Sequence, residues 1–516
     1  MRAIAWLSLW IWMLADAAMG LPAKPNLVVI LCDDLGYGDV GAFHPGGRIR
    51  TPHIDHLAQQ GMKFTDAHSS SAVCSPTRYA LLTGRYNWRS RLQQGVLGGM
   101  SPRLIETGRL TLPKFLQAQG YRTACIGKWH LGMDWSLRAG ATPFDDTIEK
   151  GVDGWKVNFG EPIRHGPLSV GFDEFFGVAA SLDMIPYVFI RNDRVTELPT
   201  VNQSFPMRPD RTGGRTRHGP GNPSFAAERV LPELTREAML FLERQAQPAR
   251  RGNPFFLYLP LNSPHTPIAP SLEWVGRSGL NAYADFVMET DHSVGQLMET
   301  LERLELTTST LVIFTSDNGC SPEAGFPELR LKGHDPSAGF RGHKADLFEG
   351  GHRVPFVARW PGVIPAGSEY HHPILLNDVF ATVAAVLEQR LPDGAAEDSV
   401  SLWRVLRGRT VRPVHEAVVH HSINGSFAIR SDRWKLMLCR DSGGWSAPRP
   451  GEANVATAPS SQLYDLQSDP SESRNLAEKE PQVVARLSRL LERIVEQGRT
   501  TPGPRQTNTV PVVVRK

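Results

Sequence analysis

Cys74-Ser75-Pro76-Thr77-Arg78 is the stretch of this chain whose residue types and spacing most plainly imply chemistry. A small cysteine, followed two residues on by proline and four on by arginine, reads as an exposed nucleophile made after translation. Asp33-Asp34 and Asp317-Asn318 are hard oxygen donors, a set that suits Ca2+ or Mg2+ rather than zinc. Lys128 and His130 share the compact segment Gly127-Lys128-Trp129-His130-Leu131-Gly132, His265 stands in Pro264-His265-Thr266-Pro267, and Lys344 precedes Glu349-Gly350-Gly351. Lysine can neutralise an anion, and histidine titrates near neutrality and so can move a proton either way. Each has a plain alternative taken alone. A free cysteine is most often a buried thiol, an Asp pair a cap or turn, a lysine a surface charge, and an arbitrary one of 17 histidines structural.

The elements that must position these residues are legible around them. Asn26-Leu27-Val28-Val29-Ile30-Leu31 is a continuous apolar run ending in Cys32-Asp33-Asp34, as a buried parallel strand would that delivers carboxylates at its C-terminal end. Thr310 to Ser316 runs likewise into Asp317-Asn318-Gly319, and Phe255 to Leu261 into Asn262-Ser263-Pro264-His265. Open α/β sheets hold ligands at that edge. Helical patterns intervene: Pro52 to Gly61, Leu112 to Gly120, and Tyr283 to Leu304 with apolar residues at helical spacing. The alternation implies an α/β fold, a mostly parallel sheet sandwiched by helices. Residues 136–225, rich in Gly, Pro, Arg and Asp, read as long loops over the site and as the region that sets specificity. From Val411 short strands and a terminal amphipathic helix over Pro481 to Glu496 imply a smaller α+β C-terminal domain, giving a division into 1–20, 21–410 and 411–516.

A composition 41% hydrophobic and 21% charged excludes disorder as the default, and a net charge of +3 over 516 residues gives no reason to expect a nucleic-acid partner. The clustered arginines at 85, 89 and 91 and at 208, 211, 215 and 217 could meet anions, although solvated surface positions are the commoner outcome. Arg2, the apolar run Ala3 to Leu14 and the small residues through Gly20 read as a cleavable export signal, too short to span a bilayer; no stable membrane insertion is expected. Five widely spaced cysteines do not make a disulfide scaffold, and their odd number fits one being chemically special.

Together, in this order, the motifs resemble the type I sulfatase family, within the alkaline-phosphatase superfamily, from about Lys24 to about Leu476. The later segment Leu463-Tyr464-Asp465-Leu466, Asp469-Pro470, Glu472 and Asn475-Leu476 resembles that family's C-terminal region. The resemblance implies that Cys74 is oxidised by a separate formylglycine-generating maturation enzyme to formylglycine, whose hydrate carries two geminal hydroxyls. One attacks sulfur in line to give a sulfo-enzyme; loss of a proton from the other regenerates the aldehyde and expels sulfate. It further implies that Asp33, Asp34, Asp317 and Asn318 bind one divalent cation, usually calcium, that also touches residue 74. Arg78 would hold the hydrated aldehyde and the carboxylates. Lys128 and Lys344 would bind sulfate, His130 would deprotonate the spare hydroxyl, and His265 would contact and protonate the ester oxygen. Ser181 matches a sulfate-contacting serine of some members, with altered flanking residues.

The expectation is therefore an exported sulfatase, periplasmic or secreted, or lysosomal or extracellular in a eukaryote. Its substrate would be a sulfated small molecule or glycan, with an exo-acting carbohydrate sulfatase as the working hypothesis. Two alternatives stand beside it: a phosphomonoester or phosphodiester hydrolase of the same superfamily, and a non-catalytic binder of sulfated glycans if Cys74 stays unmodified.

Overall fold

The structure, a computed structural model, describes residues 24–146 and 152–515. The export signal expected at 1–20 lies outside the described residues. Ten strands form the main sheet: β1 (Asn26–Cys32), β2 (Met62–Phe64), β3 (Arg122–Lys128), β4 (Glu174–Val178), β5 (Ile190–Arg191), β6 (Arg194–Val195), β7 (Phe255–Pro260), β8 (Thr310–Ser316), β9 (Phe356–Arg359) and β10 (Ser368–Tyr370). Their order is β10-β2-β9-β8-β1-β7-β3-β4-β5-β6. The middle five, β8-β1-β7-β3-β4, are all parallel. Every residue of β1, β7 and β8 is buried. Covered on both faces, these strands take continuous apolar runs rather than alternating ones.

Helices α1 (Pro52–Gln60), α2 (Cys74–Thr83), α3 (Leu112–Ala118), α4 (Val230–Arg250), α5 (Ala282–Arg303) and α6 (Asp378–Val386) supply the covers. On one face α4 and α5 pack side by side with α1 beyond them, and Phe241 of α4 meets Phe255 of β7 edge to face at 5.7 Å. On the other, α2 contacts α3 and α6, and Phe172 stacks on Phe256 and Tyr258. The strands read from sequence thus deliver Asp33, Asn262 and Asp317 to one edge of the sheet. The expectation for residues 136–225 needs correction: β4 to β6 lie within them, and β4 is the fifth parallel strand.

A second, antiparallel sheet follows toward the C-terminus, β11 (Val418–His421), β12 (Phe427–Ser431), β13 (Trp434–Met437) and β14 (Gln462–Asp465), in that order. Helix α7 (Pro481–Gln497) packs across β12 and β13. A buried charged cluster joins the two sheets. Lys435 Nζ lies 3.0 Å from Glu349 Oε1, 2.9 Å from Glu472 Oε1 and 3.0 Å from His352 Nε2. Arg430 donates to both oxygens of Asp66 at 2.8 and 2.7 Å, and Asp66 accepts from His68 at 2.7 Å. Among the described residues no helix is long and apolar enough to cross a membrane, and all five cysteines are free.

Candidate active site

The ends of β8, β1 and β3, the last across β7, and one helix N-terminus converge on a single buried spot. The turn after β1 carries Asp33 and Asp34, with Asp34 in a left-handed conformation at φ 65°. Asp317 and Asn318 follow β8, whose backbone runs in register with β1 to Cys32 beside Ser316. Lys128 ends β3. Here the strands approach so closely that a Cβ on Gly127 would lie 1.9 Å from the carbonyl oxygen of Pro260, and one on Gly177 1.8 Å from that of Gly127. Glycine at 127, at φ +143°, is what lets Lys128 reach across β7 to Asp33.

Cys74 opens α2 at its first position, where unpaired backbone N–H groups and the helix dipole favour negative charge. The expectation of an exposed cysteine is corrected: Cys74 is 2% exposed, and every residue of α2 is buried. Four residues on, one turn along the same face, Arg78 donates from Nε and Nη2 to Asp317 Oδ2 at 3.0 and 2.7 Å and from Nη1 to the Lys128 carbonyl at 2.9 Å. Its Nη2 also lies 3.6 Å from Asp33 Oδ2. Lys128 Nζ donates to Asp33 Oδ2 at 2.5 Å, and Lys344 Nζ to Asp34 Oδ2 at 2.8 Å. Asn318 Nδ2 donates to Asp34 Oδ1 at 2.6 Å, and His265 Nε2 lies 3.6 Å from Asp34 Oδ2. Asp33, Cys74 and Asp317 offer ligand atoms within 4.8 Å of one another, as do Asp33, Asp34 and His265.

His130 sits at φ 54°, its amide bonded to Ala179 beyond β4, its Nε2 2.6 Å from the Leu97 carbonyl and its Nδ1 buried without a partner. Ser181, two residues past Ala179, is 2% exposed with an unpartnered Oγ. Distant as they are in sequence, all the residues singled out above therefore lie at the same edge of the sheet. Two further residues there carried no assigned role in the sequence. Tyr283 donates to the Asp34 carbonyl at 3.2 Å, and Asn262 is buried with neither amide atom paired. The visible signal for Asn262 was its place at a strand end, three residues before His265.

Electrostatics set the protonation states. Burial raises the Asp33 carboxyl, but Lys128, His265, Arg78 and Lys344 outweigh it and hold Asp33 far below the usual carboxylate range. Burial and then the adjacent Asp33 push Asp317 up to about 6 against the pull of Arg78. Burial disfavours the charged form of Lys344, yet Asp34 more than restores it. Burial, then Lys128 and Arg78, drive the His130 pKa well down, so its imidazole is neutral. Burial pushes the Cys74 thiol up despite Lys128 and Lys344, so an unmodified Cys74 is a poor thiolate nucleophile.

The arginine clusters divide. Arg85 and Arg89 are buried, Arg89 in a two-pronged pair with Asp398 at 2.8 and 2.9 Å, and neither is a free surface charge. Arg217 pairs with Asp183 at 2.6 Å.

Comparison with known proteins agrees with this geometry. The family model described as Sulfatase matches residues 25–388. An N-acetylgalactosamine-6-O-sulfatase of Bacteroides thetaiotaomicron is 33% identical over 91% of this chain and 93% of its own. Arylsulfatase A of Bos taurus is 32% identical over 92% and 88%. A solved structure concerned with metabolism of multiple glycosaminoglycans by Bacteroides thetaiotaomicron superposes with a TM-score of 0.78 at 32% identity, covering 92% of this chain and 99% of that one. With that family model over most of its length and relatives a third identical along nearly all of it, the chain belongs to the sulfatase family of sulfuric ester hydrolases.

Proposed function

We propose that the protein hydrolyses sulfate monoesters of carbohydrates at the strand edge described above, with Cys74 converted to formylglycine. The observation that carries the reading is the convergence of three carboxylates, three cations and the first residue of α2 on one buried spot. Its burial and raised pKa suit Cys74 to be a precursor better than a thiolate. The carbohydrate preference is supported by the name of the Bacteroides sulfatase relative.

A divalent cation fits the donors present. Asp33 Oδ1 and Asn318 Oδ1 are buried oxygens with no hydrogen-bond partner, a costly state that an oxygen-seeking ion relieves. Asp33, Asp34, Asp317 and Asn318 would hold Ca2+, or Mg2+, beside residue 74, and the ion would supply positive charge to the sulfate oxygens. The hydrated aldehyde at residue 74 would supply the attacking hydroxyl and a second hydroxyl whose deprotonation releases sulfate.

The remaining side chains divide the work. Lys128 and Lys344, both buried and charged, neutralise the sulfate oxygens; their carboxylate partners keep them positioned before substrate arrives. His265 contacts the ester oxygen and gives it a proton as the alcohol leaves. His130, neutral with Nδ1 free, accepts the proton of the second hydroxyl. Arg78 ties α2 to Asp317 and to the Lys128 backbone, fixing residue 74 against both strand ends. Ser181 offers its unpartnered hydroxyl to sulfate. The proposal includes export by residues 1–20, a catalytic region over 21–410 and a C-terminal one over 411–516.

The test is sulfate release by protein coexpressed with a formylglycine-generating enzyme, on 6-O-sulfated N-acetylgalactosamine, other sulfated saccharides, an aryl sulfate and the matched aryl phosphate, each with and without chelator. Chelator-sensitive turnover of a saccharide is expected. Good aryl sulfate turnover with every saccharide inert would end the carbohydrate reading, and faster aryl phosphate turnover would end the sulfate one.

A further inference from the structure

Asn262 is 2% exposed, and neither its Nδ2 nor its Oδ1 has a hydrogen-bond partner. A carboxamide offers two donors and an acceptor with two lone pairs. Burying it with both ends unmatched leaves its desolvation uncompensated, so the native fold does not gain from an amide here.

Its location says what the amide faces. The alternation of strand β7 carries into the segment after it: Phe255 meets Phe241 of α4, and three residues past the strand end the Ser263 hydroxyl accepts from Thr290 of α5 at 2.8 Å. Tyr258, on the other parity, stacks on Phe172 beneath the opposite layer. In an extended segment successive side chains point to opposite faces, which puts Asn262 on the face of α2, where Arg78 reaches Asp317 and Asp33. Along the edge, Leu31 is level with Pro260, and the Asp33 amide donates to the Ser263 carbonyl at 2.9 Å. On the other side the Gly127 backbone abuts Pro260, just before Lys128. Asn262 therefore stands between the Asp33 and Lys128 strand ends, three residues from His265, and is an uncharged amide among charged groups.

We propose that Asn262 is a further substrate-contacting residue: its Nδ2–H donates to a non-bridging oxygen of the sulfate held by Lys128 and Lys344. This rests on the sulfate-ester reading of the site. The amide adds a directed hydrogen bond without adding charge, so it fixes the rotation of the sulfate group for in-line attack from residue 74.

Asn262→Leu has nearly the same shape and no polar atoms. Because the amide is unpaired in the protein alone, N262L is expected to unfold at the same or a higher temperature than wild type. Its kcat/KM for an aryl sulfate, per converted Cys74, should fall about 10- to 100-fold. Inorganic sulfate supplies a readout without turnover: it should raise the wild-type melting temperature, and at the same concentration raise that of N262L far less. Asn262→Asp, isosteric but with an acceptor facing the anion, should lose more sulfate binding than N262L, and it decides the matter if N262L does not fold. Wild-type kcat/KM and wild-type sulfate response in either folded variant would overturn the proposal, as would a melting temperature that falls in step with activity. Failure of the wild type on aryl sulfate would instead strike the functional reading, and the sulfate-induced shift would still report on Asn262.

Discussion

Two buried clusters of charge, one at the strand edge and one between the sheets, look alike by composition and differ in closure. In the inter-sheet cluster, Lys435 is met by Glu349, Glu472 and His352, Arg430 and Arg353 by Asp66, and Glu472 Oε2 accepts from the Glu349 amide at 2.7 Å. Two atoms there have no hydrogen bond, His420 Nε2 and Glu472 Oε1, and the second lies 2.9 Å from Lys435 Nζ as an ion pair. In the strand-edge cluster Asp33 Oδ1, Asn318 Oδ1, His130 Nδ1, Ser181 Oγ and both amide atoms of Asn262 are left over. Buried charge by itself therefore does not mark a site; the two clusters differ in how many buried groups around the charge are left unpaired. The contrast also disposes of a metal at His68, His352 and His420, whose ligand atoms lie within 4.8 Å. The His352 and His420 rings lie face to face, 3.8 Å apart and 13° from parallel, so their in-plane lone pairs cannot converge on one ion.

If the inter-sheet cluster is a joint, breaking it should cost stability and spare chemistry. Lys435→Met leaves Glu349 and Glu472 uncompensated, and should lower unfolding free energy by about 3–5 kcal/mol. Denaturant unfolding reads this, while kcat of the folded fraction should stay within about twofold of wild type. A large fall in kcat with stability intact would erase the distinction.

The reverse should hold at the other cluster. His130→Gln keeps a polar side chain but no base, and should lower kcat by about 100- to 1,000-fold. Its unfolding midpoint should match wild type, since Nδ1 bonds nothing in the fold and the glutamine amide can donate to the Leu97 carbonyl in place of Nε2. A destabilised H130Q with ordinary kcat would make His130 a structural residue.

Acid should act on the joint in a predictable direction. Burial first, with His420 and Lys435 adding to it at His352, and His68 and Lys435 at His420, holds both pKa values well below the ordinary 6.5; burial also lowers that of His68 despite Glu349 and Asp66. At these three rings the unfolded chain then binds protons that the folded one does not, so their contribution to stability is present above about pH 6.5 and falls as pH falls; Glu472, pushed up to about 7 by burial and by Glu349, works against them. Each ring contributes a slope of up to about 1.4 kcal/mol per pH unit. Replacing His420 by Phe, which preserves the stack, should flatten the pH 5–6.5 limb by one ring's share. An unchanged limb would place the acid sensitivity elsewhere.

How much of this was legible beforehand depended on distance along the chain. Strands β1, β7 and β8 announced themselves as apolar runs with polar ends, and Asp33-Asp34 and Asp317-Asn318 were recognisable because the runs stop there. Strand β4 was hidden: Glu174-Phe175-Phe176-Gly177-Val178 is short, carries the glycine its close neighbours demand, and sits in a Gly- and Pro-rich segment. The burial of Cys74 was invisible because the whole of α2, arginine included, is enclosed by tertiary packing. The joint could not be read at all, since Glu349 lies 86 residues from Lys435 and 123 from Glu472. In the sequence Asn262 reads only as the end of a strand, because lacking a partner is a property of the fold and not of a motif.

The central claim is that residue 74, once converted, carries the reaction at the unpaired cluster. The most direct measurement is sulfate release from an aryl sulfate per mole of converted residue 74, with conversion counted by peptide mass spectrometry across that segment and Cys74→Ala made alongside. Turnover proportional to conversion, with C74A down by at least about 10,000-fold and equally well folded, is the predicted result. Turnover that persists in unconverted protein or in C74A would contradict the claim.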